Sequence, residues 1–160
     1  MTTQSLRAVP MSVLLITLGS ALTMEAQPAV PPQPRWVLAI QTVDEALARK
    51  QIAAAERAWH EAYLDALGSR RWEGMVAVGD ASLRIGEVSG EKPAARARAR
   101  QSYLTALGRA RADGSVEGVL RVARAFDELG DREVVRMCLR VARSISKARG
   151  DERGSARARD

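Results

Sequence analysis

The stretch that most constrains this chain is Val116 to Ile145, VEGVLRVARAFDELGDREVVRMCLRVARSI. Val119, Val122, Ala123, Phe126 and Leu129 recur at spacings of three and four, so they share one face of a helix and require an apolar partner. Val135, Cys138, Leu139, Ala142 and Ile145 repeat the arrangement further on. Between the two runs Gly130 can take the left-handed conformation that ends a helix. Asp131 can then cap the next helix, with Glu133 favourable near its positive end, and Ser115 offers the matching cap upstream. A connection this short makes the helices antiparallel neighbours with facing stripes.

This arrangement resembles the tetratricopeptide repeat, whose unit is a helix, turn and helix of about 34 residues. Val119, Val122-Ala123 and Phe126 stand in the first-helix places, and Val135, Leu139 and Ala142 in the second. The chain departs from the family in having Val119 for the usual Trp, Val135 for the usual Ala, and no Pro after the second helix. A generic antiparallel helical hairpin is the other reading of the same pattern. Members of the family commonly bind peptides or partner proteins with the outward side of each repeat's first helix. Carried onto this chain, that side is Glu117, Leu120, Arg121, Arg124, Asp127 and Glu128. Three or more repeats usually stabilise such a stack. The resemblance therefore implies that an exposed end here is covered by a partner or by self-association with another copy.

Upstream, the uncharged run MSVLLITLGSALTM from Met11 to Met24 follows a single cation, Arg7, and has the length of a signal-peptide core. Residues 1–26 are expected to be a signal peptide cleaved after Ala26, or an uncleaved membrane tether, since Met24 is not the small residue such a site prefers. No Cys lies near the end of the run, which excludes a bacterial lipoprotein anchor. QPAVPPQP, Gln27 to Pro34, is rich in proline, and residues 27–41 are expected to be a linker. Trp36 to Ile40 is too short to classify by period, and either begins the first helix or folds back as a cap. Thr42-Val43-Asp44-Glu45 has the pattern of a capping box opening one long helix, with Ala48, Ile52, Ala55, Trp59, Ala62, Tyr63 and Ala66 inward and Gly68 at its end.

Ser69 is expected to cap a second helix with Trp72, Met75, Val78, Gly79, Ser82 and Ile85 inward, and Gly86-Glu87 to end it. After a loop at residues 88–93, Pro93 suits the first turn of a helix with Ala99, Tyr103, Ala106, Leu107 and Ala110 inward. Residues 42–147 thus form an all-α domain of about five helices, stacked as antiparallel hairpins in a short tetratricopeptide-like solenoid. Residues 148–160 lack apolar periodicity and are expected to be a disordered tail.

Composition supports the helical class. Aromatics are 4% of the chain, so a core must be built from Ala, Leu and Val, which favours close helix packing over a sandwich of short strands. The formal charge of +6 rests on 22 Arg and three Lys, a bias that fits a GC-rich genome as readily as a binding surface. Arg132, Arg136, Arg140, Arg143 and Lys147 recur along one side of the last helix, with Arg96, Arg98 and Arg100 adding charge to the preceding long helix. This ridge is the alternative site, for an anionic polymer or membrane surface. No aromatics interleave with it, which disfavours nucleic acid. Lone His60 shares a helix face with Glu56, and one histidine without Cys or His partners makes neither a metal site nor a triad. Cys138 is expected to be buried and inert. No cofactor or catalytic constellation is indicated. The expected function is an exported, non-enzymatic interaction or scaffolding module, periplasmic or secreted in a bacterium, reaching a membrane only through an uncleaved leader.

Overall fold

A computed structural model describes residues 33–157, with side chains described as far as residue 150. Six helices follow one another: α1 (Arg35–Ala48), α2 (Ile52–Ser69), α3 (Trp72–Ser89), α4 (Lys92–Ala112), α5 (Val116–Glu128) and α6 (Arg132–Arg157). No strand occurs among the described residues, so the all-helical class holds. Each helix packs on the next, α3 and α4 most extensively, and α1 also reaches α3. The leader expected at residues 1–26, and the first residues of the linker, lie outside the described residues.

Six helices replace about five because the long helix expected from Thr42 to Gly68 is broken. Lys50 takes a left-handed φ of 56°, and the amides of Lys50 and Gln51 return to the carbonyls of Leu47 and Ala46, both at 2.9 Å. Thr42 caps nothing. It lies inside α1, where its hydroxyl donates to the Leu38 carbonyl at 3.2 Å, and Ala48, expected inward, is exposed. The helix begins instead at Arg35, within the stretch read as linker, because Trp36, Ala39 and Ile40 find the apolar core.

The next junctions shift similarly. Gly68 stays helical and Arg70 takes the left-handed turn at φ 56°. Ser69 closes α2, donating to the Ala66 carbonyl at 2.8 Å. Gly86 lies within α3, where a Cβ would stand 2.3 Å from the Ala95 Cβ, so its absence lets α3 and α4 cross closely. The turn falls at Gly90, φ 83°, and the expected six-residue loop shrinks to Gly90-Glu91. Pro93 occupies the first turn of α4, and Ala99, Tyr103, Ala106, Leu107 and Ala110 are all buried.

The C-terminal hairpin forms as its sequence requires. The Ser115 hydroxyl accepts from the Gly118 amide at 3.0 Å, Gly130 has φ 77°, and Asp131 Oδ1 accepts from the Val134 amide at 3.4 Å. Val119, Val122, Ala123 and Phe126 are buried, and Phe126 meets Tyr103 edge-on at 5.8 Å. Leu139 departs from expectation, being 39% exposed. The inward stripe of α6 is centred on Val134, Cys138 and Ala142, which leaves Leu139 at its edge. Burial pushes the Cys138 thiol up from its ordinary pKa, as suits a packing residue. The backbone of α6 stays helical to Arg157, past the expected tail boundary at Ala148. This run is free of proline, and a helix already anchored upstream continues through it despite Gly150 and Gly154.

The structure also brings out an internal duplication. YLDALG at residues 63–68 in α2 returns as YLTALG at residues 103–108 in α4, 40 positions later. Trp72-Glu73-Gly74, opening α3, returns as Val116-Glu117-Gly118, opening α5, 44 positions later. Burial follows the correspondence: Ala66 and Ala106, Met75 and Val119, and Val78 and Val122 are inside, while Leu64 and Leu104 are exposed. The pair α2–α3 and the pair α4–α5 therefore read as two versions of one unit.

Candidate interaction groove

α3 and α5 open on the same Glu-Gly pair, yet these two helices touch only sparingly. Between them opens a groove of about 630 Å³. Its apolar lining is Trp72, Val76, Ala77, Val116 and Leu120, and its polar lining is Glu73, Asp80, Glu117, Arg121 and Arg124. The Trp72 indole reaches the groove because Gly118 has no side chain: a Cβ there would stand 2.8 Å from Trp72 Cε2.

Asp80 ties the groove to the core. Its Oδ1 accepts from the buried Tyr103 hydroxyl at 2.7 Å and its Oδ2 from Arg121 Nη2 at 2.6 Å. Burial and the carboxylate both raise the Tyr103 pKa, so the phenol stays a donor throughout the physiological range. Glu73 is held by Arg71 at 2.7 Å, and that hydrogen bond lowers its pKa, so it stays charged. Glu117 and Arg124 form no ion pair among the described residues. They are the groove's uncommitted charges.

A second cleft of about 320 Å³ continues from the first through Leu120 and Arg124, which line both. Ala123, Asp127, Val135 and Leu139 complete it, which is where the exposed Leu139 belongs. Of the residues that the family resemblance implied, Glu117, Leu120, Arg121, Arg124 and Asp127 line this continuous trough. Glu128 does not, facing a small cleft with Leu83, Lys92 and Arg96 instead. The sequence reading missed the opposite wall, namely Trp72, Glu73, Val76, Ala77 and Asp80. The signal was the repeated Glu-Gly that opens both α3 and α5.

The alternative basic site divides. On α4, Arg96, Arg98, Arg100 and Arg109 are engaged within the molecule. Arg98 forms a bidentate pair with Glu56 at 2.7 and 2.9 Å, over the Trp59 ring. Arg100 pairs with Asp131, and Arg96 donates to the Leu129 carbonyl at 2.6 Å. Arg109 donates to the carbonyls of Ala66, Leu67 and Arg71 at 2.8, 3.1 and 3.0 Å, satisfying the C-terminal end of α2. These are struts between helices. Arg132, Arg136, Arg140 and Arg143 on α6 are exposed and take part in no ion pair among the described residues.

His60 is exposed, and its helix neighbour Glu56 is committed to Arg98. Among the described residues no cluster of three or more His, Cys, Asp or Glu could hold a metal ion, and no helix is long and apolar enough to cross a membrane. No protein-family model, curated protein or solved structure matches the chain.

Proposed function

We propose that this chain is an exported, non-catalytic helical-repeat protein of the bacterial cell envelope, which holds a peptide or partner protein in the trough between α3 and α5. The observation that carries this reading is the trough itself. It has an apolar floor at Trp72, Val76 and Leu120, with uncommitted charges of both signs at Glu117 and Arg124. Apolar contact supplies affinity, while the flanking charges fix register and exclude wrong partners. The stacking of successive hairpins and the duplication of α2–α3 as α4–α5 support a short tetratricopeptide-like solenoid, in which α1, α3 and α5 take the part of first helices. Export rests on the sequence of residues 1–26.

Leu120→Asp and Arg124→Glu test the reading, since both side chains are exposed and neither supports the core. In a pull-down from envelope extract, the native chain should retain a partner at high salt. Each variant should lose at least about tenfold in affinity, the range expected for a contact at the centre of an interface, with an unchanged thermal melt. Retention by both variants, or elution of everything at moderate salt, would overturn it.

A further inference from the structure

The outer face of α6 supports a second surface, beyond the trough reading and sharing with it only Leu139, at the rim of the second cleft. We propose that this face docks on an anionic lipid bilayer. At 3.6 residues per turn, Arg132, Arg143, Arg136 and Arg140 fall within an arc of about 80° and extend about 16 Å along the helix axis. The buried residues Val134, Cys138 and Ala142 lie on the opposite side. A merely solvated face mixes its signs, as α2 does with Arg57, Glu61 and Asp65. The α6 arc holds four arginines and no acid, with Glu133 only at its margin. Elsewhere Arg49, Arg71, Arg84, Arg98, Arg100 and Arg121 have carboxylate partners, whereas none of the four arginines of the α6 arc does among the described residues. Asp131, the acid nearest the start of the ridge, is already taken by Arg100.

The chemistry of the neighbouring side chain selects the occupant. Leu139 lies at the edge of the arc, 39% exposed, three residues after Arg136 and four before Arg143 on the same side of the helix. A bilayer surface satisfies both components, since arginines reach phosphate groups while an apolar side chain enters the boundary beneath them. A sugar-phosphate strand satisfies only the cations, and the face has no aromatic side chain on which a base could stack.

The full chain is sedimented with vesicles of phosphatidylcholine alone and of phosphatidylcholine with phosphatidylglycerol. Preferential binding to the anionic vesicles, weakening as salt rises, is expected. The triple substitution Arg136→Gln, Arg140→Gln, Arg143→Gln should reduce partitioning about 100-fold, from the usual contribution of each cation near such a surface. Leu139→Gln should weaken vesicle binding while leaving any binding to duplex DNA unchanged. Equal binding to neutral and anionic vesicles, salt-insensitive binding of the native chain, or undiminished binding of the triple variant overturns the proposal. Preference for duplex DNA over vesicles overturns it too, and assigns the ridge to nucleic acid.

Discussion

Tyr103 joins three helices through one side chain. It stands on α4, fills the space left by Gly79 on α3, meets Phe126 on α5 and donates to Asp80 at the trough wall. Because burial raises its pKa, the fold prefers the protonated phenol, and the Cys138 thiol is shifted in the same direction. A group with a raised folded-state pKa contributes stability that is complete below its unfolded value and lost as pH rises. Those ordinary values are 9.0 for the thiol and 10.0 for the phenol. Resistance to urea should therefore decline from about pH 9 upward. Tyr103→Phe should be less stable than the native chain at neutral pH by about 1 kcal/mol, the net value of a hydrogen bond, yet show a flatter decline. Parallel pH profiles for the two proteins would refute this role. The burial of Tyr103, Phe126 and Cys138 was legible from spacing alone. Leu139 was not, because a residue at the edge of a stripe is placed by the neighbouring helix, and periodicity sees one helix at a time.

Glycine works in two opposite ways in these helices. At Gly79 a Cβ would lie 2.3 Å from the Tyr103 ring, whereas at Gly108 nothing stands within 4 Å. Gly79→Ala should therefore destabilise the protein by about 1–3 kcal/mol through overpacking. Gly108→Ala should stabilise it by up to about 1 kcal/mol through helix propensity. Urea midpoints for the two variants check both signs, and a shift in the same direction for both would contradict the packing described. Helix boundaries were legible where a side chain caps directly, as Ser115 and Asp131 do. They were misread where a cap-like pattern serves another purpose. Thr42 and Glu45 stand at capping-box spacing, yet the Thr42 hydroxyl bonds back into its own helix and the true break uses Lys50 in a conformation more typical of glycine. The far wall of the trough stayed hidden because the two versions of the repeated unit are offset by 40 positions in one helix and 44 in the next, so a search at one fixed period misses it.

Over the whole molecule, apolar burial divides between a large cluster, running from α2 to α6, and a smaller one formed by Val43, Ala46, Ala55, Ala58, Ala81 and Ile85. The smaller cluster is mostly alanine, and α1 buries only Val43 and Ala46 while Trp36, Ala39 and Ile40 lie partly exposed against the larger cluster, so α1 should open before the rest. Hydrogen exchange read by mass spectrometry should show α1 amides exchanging faster than those of central α4, and equal protection would mean a single cooperative unit. The trough inherits an asymmetry from the same architecture. One wall belongs to α3, clasped to α4 where Gly86 meets Ala95, and behaves as a stiff beam. The other belongs to α5, which rests mainly on α4 and α6 and meets α3 through Trp72 against Gly118 and the Asp80–Arg121 ion pair. The width of the trough is therefore set by that glycine seat and that charged latch rather than by broad packing between the walls.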